Sequence, residues 1–203
     1  MHIIETHRAP NPRRVSIFLA EKGIEVRREE RDLMSGELRL DEFSAMNPWQ
    51  RVPVLVLDDG RTISESVAIC RYFEELHPEP ALFGISAFGK AEVEMWNRRL
   101  EFGLFNAVAS VFRHLHPKMA SLEVPQVEAW GEANKDKVND ELQRLDRRLA
   151  DHAFVAGDQY SIADITALVA VDFMKPARLA RPDGFANVMR WYAVVSARPS
   201  AAA

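Results

Sequence analysis

Two short runs hold the residues of this chain whose types and spacing suit them for chemistry. They are Arg51-Val52-Pro53-Val54-Leu55 and Ser64-Glu65-Ser66 at the head of a helical stretch, with the turn signal Asp59-Gly60 between them. Proline donates nothing to a sheet ladder, so Pro53 at the head of the apolar run Val52 to Leu57 marks a strand start. An X-Pro bond held cis in a tight turn leaves the amide and carbonyl of Val52 facing outward, free to pair with an extended peptide. At Ser64-Glu65-Ser66 the unpaired amides and positive dipole end of a helix favour a carboxylate, and the Glu65 side chain holds an ammonium. A free α-amino acid head fits both. The two runs predict a cleft for a short peptide carrying such a head. Taken alone, Ser64-Glu65-Ser66 also reads as an ordinary helix cap, and Val52-Pro53 at this spacing turns the reading towards binding.

Other reactive residue types point to structure. Cys70, four residues after Ser66, reads as a small buried core thiol rather than a redox centre. His114 and His116 stand two apart, a spacing that does not share a helical face, and no third ligand is evident, so no metal is predicted. The mixed-sign cluster Arg27, Arg28, Glu29, Glu30, Arg31 reads as a guarded sheet edge.

The elements that position these residues follow from pattern. Met1 to Glu5 is apolar enough for a buried strand, and Pro12 sits in a first helical turn. The helix runs to Lys22 with Val15, Phe18 and Leu19 on one face, and Gly23 takes the left-handed position after it. Ile24 to Leu33 reads as a strand and Leu38 to Met46 as a short helix closed by Asn47-Pro48. Val52 to Leu57 and Arg61 to Ile63 form a hairpin, and Ser64 to Leu76 is a helix stopped before Pro78. The order, βαβ then αββα, is compatible with a thioredoxin fold among other α/β sandwiches. His77-Pro78-Glu79-Pro80-Ala81 reads as a linker. From Ala87 helical periodicity takes over, punctuated by Pro117, Pro125, Gly157 and Pro182. Within it Ser161 to Asp164 forms a capping box with a structural role. The expected domains are 1–77, a linker over 78–86, and an all-helical domain over 87–203.

Composition bounds the function. At 203 residues, 47% of them hydrophobic, the chain has enough apolar material for two small cores. A net charge of -4 argues against a nucleic-acid binder, which needs a basic face. A single cysteine excludes an intramolecular disulfide framework and suits a reducing compartment, so the cytoplasm is expected. No signal peptide and no membrane span are expected, for want of a cationic start with an apolar core or any apolar stretch near 18 residues.

Several segments, in order, carry a resemblance: Ala9-Pro10-Asn11-Pro12-Arg13-Arg14-Val15, Leu19-Ala20-Glu21-Lys22-Gly23, Asn47-Pro48, Val52-Pro53 and Ser64-Glu65-Ser66, with a helical second half after Pro80. The chain resembles the cytosolic glutathione S-transferases over nearly its whole length. The resemblance implies a thioredoxin-like N-terminal domain followed by a C-terminal helical bundle, glutathione as co-substrate without a metal, and a homodimer. It implies that Val52 pairs with the cysteinyl backbone of glutathione, Pro53 holds the cis turn, Glu65 takes the γ-glutamyl ammonium and Ser66 its carboxylate. Gln50 and Arg51, ahead of Arg39, fall where the family reaches the glycyl carboxylate. Trp49-Gln50 replaces the small residue, commonly glycine, of the family's Asn-Pro-x-Gly pattern.

Conjugation needs glutathione as a thiolate, so a thiol pKa near 8.5 must come down; two units correspond to about 2.7 kcal/mol. By resemblance the serine or threonine donor of matching classes falls on Ala9, which has no donor. Asn11 is the leading replacement through its side-chain amide, and it also reads as a cap ahead of Pro12. Thr6 and His7 are further candidates, with plain readings as the last strand residue and a solvent-facing loop residue; backbone amides of the loop can act unaided. Phe102, Phe105, Val108 and Phe112 form an apolar stripe that reads as core, or as an electrophile pocket with Phe105 and Phe112 as its members. The implied reaction is activation of the glutathione thiol for attack on a small apolar electrophile. Glutathione-dependent disulfide reduction and a non-catalytic glutathione-fold binding protein stand as alternatives.

Overall fold

Ile3 and Ile4 are both buried although they point to opposite faces, which places their strand, β1 (His2–Glu5), inside the sheet with cover on both sides. The computed structural model describes residues 1–7 and 9–203. They form two compact units, Met1–Ala81 with Pro199–Ala203, and Leu82–Arg198. The first unit runs β1, α1 (Pro10–Lys22), β2 (Arg27–Glu30), α2 (Asp41–Met46), β3 (Val54–Val56), β4 (Thr62–Ser64) and α3 (Ser66–Leu76). Its sheet has the order β2-β1-β3-β4. β1 pairs parallel with β2 and antiparallel with β3, and β3 pairs antiparallel with β4. This is a thioredoxin-like arrangement, as the resemblance implied.

Alternation along the strands sorts the core into two layers. Ile4 and Val54 cluster with Leu38, Phe43 and Val52, on the α2 side. Ile3 and Leu55 face the other way, where α1 and α3 lie against each other and bury Val15, Phe18, Ile69 and Phe73. Each such apolar side chain contributes about 1.5–3 kcal/mol. Gly23 closes α1 at φ 65°, its N–H donating to the Ala20 carbonyl at 3.2 Å.

Strand β3 is shorter than expected and β4 is shifted by one residue, and three other boundaries differ from pattern for a physical reason. β2 covers Arg27–Glu30 rather than Ile24 to Leu33, because β1 presents four partners, His2 to Glu5. The stretch from Leu38 divides into a 3-10 turn over Glu37–Arg39 and then α2. α3 begins at Ser66 because Ser64 is still paired with Val54 and Glu65 holds φ 70°, outside helical space. The mixed charges of β2 lie on an edge strand; Arg28 donates to Glu5 at 2.7 Å and Arg31 to Glu29 at 2.6 Å.

In the second unit α4 (Ala87–Leu100) continues through a π-helical turn, Glu101–Phe105, into α5 (Asn106–Leu115); α6 (Glu128–Ala150), α7 (Ile162–Phe173) and α8 (Ala186–Ser196) follow. α7 is buried on every face from Ile162 to Val171, the mark of a central helix. Its N-terminus carries the expected capping box, with Ser161 N–H donating to Asp164 at 3.0 Å. Phe102 lies 69% exposed, because the wider π turn rotates it off the stripe. Phe105 and Phe112 pack on Phe173, at ring distances of 6.3 and 5.0 Å. No helix among the described residues is long and apolar enough to cross a membrane.

Candidate functional site

Register alone brings three loops to one end of the sheet. Ile4, Val54 and Ser64 form a row across β1, β3 and β4. β1 and β4 leave this row in the same direction and the antiparallel β3 enters from it. Thr6, Val52-Pro53 and Glu65-Ser66 therefore lie beyond the same edge. The two helices reinforce that end. Arg14 Nη1 donates to Ser66 Oγ at 2.9 Å, and Lys22 pairs with Glu74 at 2.5 Å. Both partners step eight residues along their helices between these contacts, so α1 and α3 run parallel with their N-termini together. Two positive dipole ends converge beside the loops, which favours an anion.

The Val52–Pro53 bond is cis. The Val52 side chain joins the core, while its N–H and carbonyl have no partner among the described residues. That is one donor and one acceptor on offer to an extended backbone. Asn47 shapes the approach to it. Its Nδ2 donates to the Arg51 carbonyl at 2.8 Å, and its Oδ1 accepts from Trp49 N–H at 3.2 Å. Gln50 adopts φ 53°, a conformation that favours glycine, and so stands where the family pattern places that residue. The Gln50 amide donates to Ser44 Oγ at 3.0 Å, tying it to α2, whereas the Arg51 and Arg39 side chains are exposed. Glu65 is exposed and holds φ 70°, ψ 115°, a region that costs a non-glycine residue about 1–3 kcal/mol. Ser66 turns the other way and is 4% exposed. An outward carboxylate and an inward hydroxyl thus stand one residue apart.

The candidate thiolate donors separate clearly. Thr6 spends its hydroxyl on the Arg31 carbonyl at 2.6 Å. His7 is exposed, and its backbone N–H donates to Glu30 at 2.7 Å. Ala9, not Asn11, is the N-cap of α1, with no side-chain capping bond. Asn11 is the second helical residue and exposed. Pro10 and Pro12 flank it without N–H groups, so in the first three helical positions only Asn11 has a backbone donor. That donor and its side-chain amide have no partner among the described residues.

Sequence reasoning passed over Arg14, which is fully buried against Ser66. The signal was its place one turn before Phe18, on an otherwise apolar stripe. Cys70 is buried beneath Ser66; burial pushes its thiol far up, with the Arg14 charge the strongest opposing influence. His114 accepts from Val127 N–H at 3.1 Å and His116 from Lys118 N–H at 3.2 Å, both structural contacts. Among the described residues no group of three or more His, Cys, Asp or Glu is placed to hold a metal ion.

Comparison with known proteins identifies the family. Residues 9–76 match the family described as glutathione S-transferase, N-terminal domain, and residues 106–199 the glutathione S-transferase, C-terminal domain. The chain belongs to the glutathione S-transferase family. It is accordingly an enzyme of the transferase class, from a family that uses glutathione as co-substrate. Glutathione S-transferase 2 of Saccharomyces cerevisiae is 36% identical over 203 residues, covering 98% of this chain and 87% of that protein. The crystal structure of a glutathione S-transferase domain-containing protein from Marinobacter aquaeolei superposes with a TM-score of 0.95 at 39% identity, covering 98% of this chain and 99% of the other. The crystal structure of Gtt2 from Saccharomyces cerevisiae gives 0.94 at 35% identity, covering 98% of both.

Proposed function

We propose that this glutathione S-transferase binds glutathione at the common end of β1, β3, β4, α1 and α3, and activates its thiol for attack on a small apolar electrophile. The observation that carries the reading is the N–H and carbonyl of Val52, without a partner among the described residues, next to cis-Pro53 and beyond the same end of the β3–β4 pair as Glu65-Ser66. Val52 pairs with the cysteinyl backbone, Glu65 takes the γ-glutamyl ammonium and Ser66 the carboxylate. Arg51 reaches the glycyl carboxylate, with Gln50 joining by exchanging its bond to Ser44.

This places the sulfur near the start of α1. Asn11 supplies the donors there, because the Thr6 hydroxyl is committed to Arg31 and Ala9 has none. Among the described residues of that loop, His7 is the remaining candidate side chain. Lowering the thiol by two pKa units needs about 2.7 kcal/mol, within reach of two donors at a helix N-terminus. The thiolate then bonds to the electrophilic carbon, and the leaving group or an added proton balances the charge. A homodimer is supported by Phe88, Met95 and Phe102, spaced seven apart and exposed along α4 and the π turn. The expected setting is the cytoplasm.

The test is an ultraviolet titration of the thiolate band of glutathione with saturating protein, wild type beside Asn11→Ala. A band persisting well below the free thiol pKa, and lost in Asn11→Ala, is expected. Binding without any shift refutes thiol activation and favours a binding protein or disulfide chemistry. Activity on an aryl halide against that on a small disulfide then separates conjugation from reduction.

A further inference from the structure

Ser66 and Arg14 are joined by a bond whose direction is not open to choice. A guanidinium has five N–H donors and no acceptor, so at 2.9 Å Arg14 Nη1 donates and Ser66 Oγ accepts. A serine hydroxyl has one proton and two lone pairs. With a lone pair held from inside by a cation, the proton must go to a different acceptor. Arg14 is fully buried, so solvent screens its charge little, and a donor bond from a cation polarises the hydroxyl it reaches. Both effects make Ser66 a better donor and a poorer acceptor. Its surroundings push the same way: Ser66 opens α3, and the parallel α1 brings a second helix N-terminus alongside. Glu65, one residue earlier and turned outward at φ 70°, has the opposite charge preference.

We propose that Arg14 is the positioning residue that commits Ser66 to donate to a carboxylate, and so sets the preference of this site for a zwitterionic amino-acid head over a peptide with an amine alone. This rests on the glutathione-binding reading above. Arg14 does not touch the ligand. It acts by fixing where the Ser66 proton points, and this choice of head group belongs to the inner face between α1 and α3 rather than to the exposed loop.

The test compares two peptides by calorimetry: glutathione, and 4-aminobutyryl-cysteinyl-glycine, which keeps the amine and lacks the γ-glutamyl α-carboxylate. Wild type prefers glutathione. Arg14→Met is expected to weaken glutathione binding by about 10–100-fold and the amine-only peptide by less than about 2-fold, so the preference collapses. Arg14→Lys, which keeps a cationic donor, restores most of the preference and holds the test open should Arg14→Met fail to fold. Adding Ser66→Ala to Arg14→Met produces no further loss. Equal weakening of both peptides, with no rescue by Arg14→Lys, makes Arg14 a mere support for the fold and overturns the proposal. Wild type that binds glutathione without preferring it also overturns the proposal while leaving the binding site standing. Wild type that binds neither peptide removes the site itself and the proposal with it.

Discussion

Glu65 gives binding and stability opposite demands, and a pair of substitutions separates them. The residue sits at φ 70°, ψ 115°, is exposed, and has no side-chain capping bond. Glu65→Ala removes the carboxylate and keeps a Cβ in the unfavourable region. With no packing lost, stability should stay within about 0.5 kcal/mol of wild type. Glu65→Gly removes the carboxylate and the Cβ together. Release of about 1–3 kcal/mol of backbone strain is offset by about 0.5–1 kcal/mol of extra chain entropy in the unfolded state, leaving a net gain of about 0.5–2 kcal/mol. Both variants lose the partner of the γ-glutamyl ammonium, a charged contact worth about 1.5–3 kcal/mol, so glutathione binding should weaken about 10–100-fold in each. Urea unfolding midpoints and glutathione calorimetry on the three proteins provide the two readouts. The glycine variant should be the most stable of the three and bind as poorly as the alanine variant. A glycine variant no more stable than Glu65→Ala refutes the strain argument, and glutathione affinity retained in Glu65→Ala refutes the ammonium role.

Three further perturbations test the helical unit. The Thr166 hydroxyl donates to Asn97 Oδ1 at 2.6 Å, both residues being fully buried, so Thr166→Val should cost about 1–3 kcal/mol in urea unfolding, and adding Asn97→Leu should recover much of it. A Cβ on Gly131 would come within 2.5 Å of Leu115 Cγ where α5 meets α6; Gly131→Ala should cost about 1–3 kcal/mol by the same assay. Burial pushes the Asp164 carboxyl up from 3.8 to about 6, against donors from Val155, Trp191 and Ser161. The folded chain then binds the extra proton between those values, so stability should fall as pH rises through that window, by up to about 3 kcal/mol, and level off above it. Unfolding midpoints across pH should show that slope in wild type and not in Asp164→Asn.

What was legible in the sequence is what neighbouring residues decide. Gly23 ends α1, Asp59-Gly60 turns the hairpin, and Ser161 and Asp164 cap α7, each through chemistry within a few residues, while the cis Val52–Pro53 bond is what the family resemblance implied. What pairing across the chain decides was not legible. Arg14 drew no role from its neighbours in sequence because its partner lies 52 residues away. Thr6 looked like a free hydroxyl because its acceptor, the Arg31 carbonyl, lies 25 residues away. The π turn at Glu101–Phe105 has no local signature, so Phe102 looked like a member of the stripe from which it is rotated.

The same division explains how the family site can accommodate alanine at position 9. Part of the recognition proposed for this site uses backbone groups: the Val52 N–H and carbonyl, and the Asn11 N–H at the start of α1. Backbone donors are placed by register and helix direction, and a change of side chain leaves them where they were. Ala9 is the N-cap of α1 in extended backbone, and its own carbonyl accepts from Arg13 N–H at 3.0 Å, so the helix begins without a side-chain cap. Losing a hydroxyl there removes one donor and leaves the helix end in place. The next donors, the backbone and side-chain amides of Asn11, lie two residues on at the same helix end, framed by prolines that keep competing N–H groups out. A site built this way depends most on side chains that fix direction, which is why the side chains to probe are Glu65, turned outward by its φ, and Ser66, held from within by Arg14.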